Sequence, residues 1–198
     1  MKKKTKALML VLCAVLLVTA SVLGTMAYLT STDEVVNTFT VGNVAITLDE
    51  AKTDANGVAD SSAARVKAND YHLLPGHTYT KDPTVHVLAN SEDSWIFVKV
   101  DNDIANYEAP TTIATQITEN GWTALDGVAN VYYKAYTKSN AATDLLVFSN
   151  FKIADGANAT DGWSSISADT TKVTVTAYAV QKDGFTTAKA AWNATFGA

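Results

Sequence analysis

The sequence predicts an all-β protein: an antiparallel, jelly-roll-like two-sheet sandwich with a short C-terminal helix, set after an N-terminal signal peptide. Three observations carry that expectation. Residues 28–198 are rich in Thr, Val, Ala, Asn and Asp, with short apolar alternations between turn residues. The period changes once, after Asp183-Gly184, where Phe185, Ala188, Trp192 and Phe196 are spaced for one face of a helix. The first 27 residues differ in kind, with four lysines and no acid in residues 1–6 and an apolar run over 7–24.

The charged start, the apolar run and the small-residue exit Thr25-Met26-Ala27 predict a secretory signal peptide over 1–27. Ala27 stands at −1 and Thr25 at −3 of a cut before Tyr28. An uncleaved anchor is the alternative, because the run is just long enough to span a bilayer. No positive stop-transfer flank follows it, which favours cleavage. Cys13, the only cysteine, lies within the run, too shallow for a lipoprotein signal. Cleavage therefore leaves no thiol, and excludes disulfides, thiolate metal sites and a cysteine nucleophile. Loss of the four lysines takes the net charge from −5 to −9. Such a chain does not suit nucleic acid or anionic membranes, and after cleavage no membrane partner is expected. Residues 28–198 are expected to form one extracellular domain, large enough to bury its own core.

The elements follow in order. From Asn37, Phe39 and Val41 alternate on one phase and Val44, Ile46 and Leu48 on the other, with a bulge at Gly42-Asn43 resetting the register. Residues 49–70 lose the alternation and read as a long, poorly ordered surface loop. Pro75-Gly76 marks a tight turn. Residues 79–89 form a strand interrupted at Pro83, which predicts an edge position or a bulge there. "SWIFVKV" (94–100) is the strongest strand, with Trp95, Phe97 and Lys99 on one face and Ile96, Val98 and Val100 on the other. It should be central and largely buried. Gly121-Trp122 opens a short strand, and Asp126-Gly127 turns it into residues 131–136. Residues 145–153 enter the core, and "KVTVTAYAVQ" (172–181) is the last long strand.

Motifs for chemistry are sparse, and neither a catalytic residue, a metal ligand nor a cofactor is expected. His72, His77 and His86 are too few and too irregularly placed for a zinc motif. Asp101-Asn102-Asp103 starts like a calcium loop, but the glycine and distal glutamate are missing, so it reads as a polar turn. No serine sits in a nucleophile-elbow pattern. Asn158-Ala159-Thr160 and Asn193-Ala194-Thr195 match a glycosylation sequon, which matters only in a pathway that glycosylates. The four tryptophans are scattered singly and read as core or rim residues.

The junction "GTMAYLTSTDEVVNTFTVGNVAITLDE" (24–50) resembles the signal-peptide and first-strand region of the TasA/camelysin family of exported bacterial proteins. So does "YHLLPGHTYTKDPTVHVLANSEDSWIFVKV" (71–100), as does "AYAVQKDGF" with its closing helix. Residues 101–171 carry no matching motif. The resemblance implies a secreted, jelly-roll structural protein of a Gram-positive biofilm matrix or cell surface, processed by a signal peptidase of the SipW type. It implies no enzyme but fibres grown by donor-strand exchange, each copy its neighbour's head-to-tail partner, with a matrix or anchoring protein as a further partner. The donor would be Tyr28 through about Asn37, with Tyr28, Leu29, Val35 and Val36 as its apolar residues. An ordinary short leader is the other reading of that segment, since Ser31-Thr32-Asp33-Glu34 is polar. Camelysin relatives are described as surface metalloproteases, which is the weaker inheritance here. A monomeric surface adhesin is the third reading.

Overall fold

The computed structural model describes residues 3–29, 43–156, 166 and 171–197. It contains two units, Met1–Thr40 and Val41–Ala198. The first holds one helix, α1 (Lys3–Leu29). Leucine, methionine and alanine dominate its early turns, residues that lose little conformational freedom in a helix. Side chains are described through Val18, and Leu8, Leu10 and Leu17 are all strongly exposed. Among the described residues no helix is long and apolar enough to cross a membrane.

The second unit carries nine strands among the described residues. They are β1 (Ile46–Asp49), β2 (Thr78–Thr80), β3 (Thr84–Val87), β4 (Ser94–Asn102), β5 (Thr123–Ala124), β6 (Val131–Tyr136), β7 (Thr143–Leu146), β8 (Asn150–Lys152) and β9 (Val173–Gln181). Helix α2 (Ile113–Glu119) lies between β4 and β5, and α3 (Ala188–Thr195) follows β9. The strands form three antiparallel sheets, ordered β5-β6-β4-β9, β1-β3-β7 and β2-β8.

The two smaller sheets share one ribbon. Val87 lies opposite Thr143 and Thr84 opposite Leu146. Past Pro83 the same register continues, with Thr80 opposite Asn150 and Thr78 opposite Lys152. Across the gap the Pro83 carbonyl accepts from the Val147 amide at 2.9 Å and Lys81 donates to the Ser149 carbonyl at 3.3 Å. The expected edge or bulge at Pro83 is thus corrected. β3 is the central strand of its sheet, and the proline falls in the break between β2 and β3, where the ladder bond its missing N–H would give to the Val147 carbonyl is replaced by one from the Asn120 side-chain amide at 3.0 Å.

β4 is central, as its composition predicts, paired with β6 on one side and β9 on the other. Its two faces feed two clusters. Ile96, Val98 and Val100 join Val85, Val87, Trp122, Phe148, Phe151 and Ile153 in the larger core. Phe97 joins Leu125, Val131, Ala188, Ala191 and Trp192 under α3. That helix starts where the Thr187 hydroxyl accepts from the Ala190 amide at 3.1 Å. Its Trp192 ring meets Phe97 at 5.2 Å between centroids.

Two expectations need correction. Helix α2 is absent from the sequence reading, because seven residues with apolar positions only at Ile113 and Ile117 show no convincing period. The 49–70 loop lacks regular strands, yet it is tied down rather than poorly ordered. Glu50 bridges Val66 and Thr53 bridges Ala59, while the Asp54 carboxylate accepts from the amides of Asn56 and Val58 at 2.9 Å. Gly57 adopts φ 78°, and a Cβ there would lie 2.7 Å from the Tyr79 Cα, so only glycine lets the loop approach β2 this closely.

Candidate functional site between two edge strands

β9 ends its sheet and β1 ends another. The Lys172 carbonyl accepts from the Asp103 amide at 3.1 Å, and the Lys182 amide donates to the Asp93 carbonyl at 2.8 Å. Even-numbered residues of β9 therefore direct their backbone at β4. Val173, Val175, Ala177 and Ala179 direct theirs outward while their side chains pack on the larger core. Among the described residues no strand pairs with that outer edge. On β1 the Ala45 carbonyl accepts from Leu88 at 2.9 Å, so Ile46 and Leu48 turn their backbone away from β3 by the same alternation. The Leu48 carbonyl takes the Lys67 ammonium.

Between these edges lies a cavity of ≈ 1090 Å³, with β1 on one wall, residues 171–177 on the other and 67–73 along its side. Its apolar lining includes Ile46, Leu48, Leu73, Val173, Val175 and Ala177. Its deepest polar feature is an ion pair. Lys81 Nζ lies 2.6 Å from Glu50 Oε2, with side chains only 11% and 5% exposed. Asn69 Nδ2 donates to the other Glu50 oxygen at 2.9 Å, so the buried carboxylate is satisfied on both oxygens. Nearby, burial pushes the Tyr71 phenol up to about 12, and its hydroxyl donates to the Thr80 carbonyl at 2.9 Å.

On sheet β1-β3-β7 a second polar cluster ties the β1 wall in place. His86 of β3 places Nδ1 2.6 Å from Asp144 Oδ1 of β7 and Nε2 2.9 Å from Asp49 Oδ1 of β1. A carboxylate only accepts, so both ring nitrogens must carry protons, and the arrangement selects the imidazolium. The hydrogen bond to Asp49, with a smaller one to Asp144, raises the His86 pKa above its ordinary value against the opposing effect of burial. Burial would raise the Asp49 carboxyl, but hydrogen bonds from Arg65 and His86 outweigh it and hold that pKa low. Arg65 also reaches Asp82 Oδ2 at 2.9 Å and Thr84 Oγ1 at 3.1 Å.

A histidine with a raised folded pKa contributes stability that is complete below its unfolded value and fades as pH rises through the folded one. Thermal melts taken from mildly acidic to mildly alkaline pH should therefore show stability falling over that upper window. His86→Gln should remove that part of the slope. An unchanged profile in the variant would show that the imidazolium contributes nothing.

The structure does not gather the three histidines. His77 Nε2 lies 2.9 Å from the Asn56 carbonyl, His72 lines the cavity, and His86 is held as above. Among the described residues no group of three or more His, Cys, Asp and Glu is placed to hold a metal ion. Asp101 pairs with Lys99 at 2.9 Å, and Asp103 Oδ2 accepts from the Lys172 amide at 3.0 Å, which fits a polar turn at a strand end. Asn193 lies within α3, and Asn158 falls outside the described residues.

Ala27 and Tyr28, the expected cleavage pair, lie inside α1, and Leu29 is its last residue. In the uncut chain Tyr28 and Leu29 are thus helical, because the helical run continues through them. Val35 and Val36 lie outside the described residues, as do Phe39 and the expected bulge at Gly42. The sequence reading missed the cavity, since it lacks the strand order that makes β1 and β9 edges. It also passed over Lys81, whose position as a lysine inside the apolar alternation between Tyr79 and Val85 was the available signal. No family model, no curated protein and no solved structure matches this chain.

Proposed function

We propose that this chain is a TasA-like, secreted structural protein of a biofilm matrix or cell surface. Its β-unit would be a jelly-roll-like sandwich that polymerises head to tail. The segment from Tyr28 to about Asn37 of one copy would occupy the cavity between β1 and β9 of the next. The observation that supports this is the pairing of an apolar slot with an edge whose odd-numbered backbone groups face it. An added strand would gain main-chain hydrogen bonds along β9 and bury alternate side chains against Val173, Val175 and Ala177. Donation of one copy's end to another copy's slot is a heterologous contact, and such contacts propagate into filaments.

Removal of residues 1–27 would act as the switch. In the uncut chain Tyr28 and Leu29 belong to α1. A cut after Ala27 leaves them without the preceding turns, and a two-residue remnant cannot stay helical. The test is negative-stain microscopy with sedimentation of two chains, one beginning at Tyr28 and one retaining the preceding helix. Filaments are expected only from the first. Monodisperse particles from both would overturn the reading and favour a monomeric binding module.

A further inference from the structure

We propose that the slot reads charge as well as apolar pattern: Lys172 and Lys67, on its two walls, select the Asp33-Glu34 pair of the incoming segment and thereby fix its register. This rests on the strand-donation reading above and adds to it the residues that choose one alignment.

Of the charges lining the slot, Asp49, Glu50 and Lys81 are paired in place, while Lys67, Lys172 and Asp70 have no ion-pair partner among the described residues. Glu50 belongs to Lys81, and Asp49 to Arg65 and His86. Lys172 and Lys67 are exposed, and among the described residues neither has a carboxylate within ion-pair distance. Lys67 reaches from the loop to the Leu48 carbonyl on the outward edge of β1. Lys172 stands at the mouth of β9. Residues 28–42 carry two acids, Asp33 and Glu34, and no Lys, Arg or His. The incoming segment and the two unpaired lysines are therefore of opposite sign.

The alternation gives each acid a side. In an extended segment, Leu29, Val35, Phe39 and Val41 share one face with Asp33. Tyr28, Thr30, Thr32, Glu34, Val36, Thr38 and Thr40 share the other, which is mostly threonine. The first face matches the inward row of β9, Val173, Val175 and Ala177, and the second matches its exposed row, Lys172, Thr174 and Thr176. Glu34 thus comes to the face that carries Lys172, and Asp33 faces into the slot that Lys67 enters.

Apolar pattern alone cannot finish the alignment. A slip of one residue turns inward a face whose apolar residues are only Tyr28 and Val36, in place of Leu29, Val35, Phe39 and Val41, and is disfavoured by burial. A slip of two keeps every side chain on its own face, so only a specific contact rejects it. Moving Glu34 by two positions takes it from Lys172 to a threonine, leaving both charges unpaired.

The experiment uses the chain beginning at Tyr28 and measures the critical concentration for polymer by sedimentation. Lys172→Glu and Glu34→Lys should each raise it about tenfold, since an exposed attraction becomes a repulsion of like size. The double variant E34K/K172E restores opposite charges and should recover most of the loss. Added salt should weaken polymer of the unaltered chain. Thermal melts of the single variants should match the parent, because Lys172 has no carboxylate to lose. Single variants that polymerise like the parent, or a double variant that stays monomeric, would overturn the charge register and leave strand donation standing. Failure of the unaltered chain to polymerise would overturn both.

Discussion

Lys81→Ala is expected to destabilise the β-unit by about 3–5 kcal/mol, the usual cost of stripping one partner from a buried ion pair. That is a large share of the roughly 5–15 kcal/mol available to a folded domain. The reason is local. Glu50 is 4% exposed, and without Lys81 its carboxylate keeps a single side-chain donor, Asn69. The charge then lies unpaired beside the apolar cavity, where desolvation cannot be recovered. Urea titration of parent and variant measures the loss. Replacing both partners with apolar residues, Lys81→Met with Glu50→Leu, should restore most of it, because a matched apolar pair needs no compensation. A Lys81→Ala chain as stable as the parent would show that the Lys81–Glu50 pair contributes nothing to the fold.

On the proposed strand donation, Ala177→Pro should abolish polymer while leaving the fold intact. The Ala177 N–H turns away from β4, so proline there removes only a donor of the open edge, and prolines are tolerated on such edges. Its preceding residue, Thr176, is already extended, as a proline requires. An incoming strand would meet a missing donor and a ring in its path. Thr176→Pro is the matched control. Its N–H faces β4 opposite Lys99, so its loss strands an acceptor in the sheet, at about 1–3 kcal/mol. The first variant should melt close to the parent and stay monomeric, and the second should melt early. Filaments from Ala177→Pro of normal appearance would mean that the β9 edge is not where copies join.

The sequence revealed the elements better than their arrangement, for a physical reason. Alternation in residues 94–100 and 172–181 is set by burial on the two faces of a strand, and burial leaves its mark on each residue in turn. The helix at Ala188–Thr195 was equally plain, because Trp192 and Ala188 must reach one cluster. Strand order leaves no such mark. Nothing in the composition of Ile46–Asp49 distinguishes an edge from an interior strand, so the cavity and its two walls were invisible. Pro83 pointed to an edge by a sound rule, but a proline can also fall between two strands of a continuous register. The 49–70 loop looked featureless because its order comes from bridges, Asp54 and Arg65 rather than from periodic apolar residues.

The ribbon across Pro83 has a bearing on how the chain folds. Its arms, β2-β3 and β7-β8, are separated by residues 88–142, so pairing them closes a long loop, at about 3.5 kcal/mol of chain entropy beyond the constant part. β4 waits longer still, because one of its two neighbours is β9, the last strand made. A chain emerging N-terminus first therefore cannot complete either partnership until its final third has appeared. Topologies of such high contact order fold slowly, and throughout that interval the most apolar strand of the molecule lacks its second neighbour. The order of synthesis and the order of pairing run against each other, and the sheet around β4 becomes whole only once β9 has emerged.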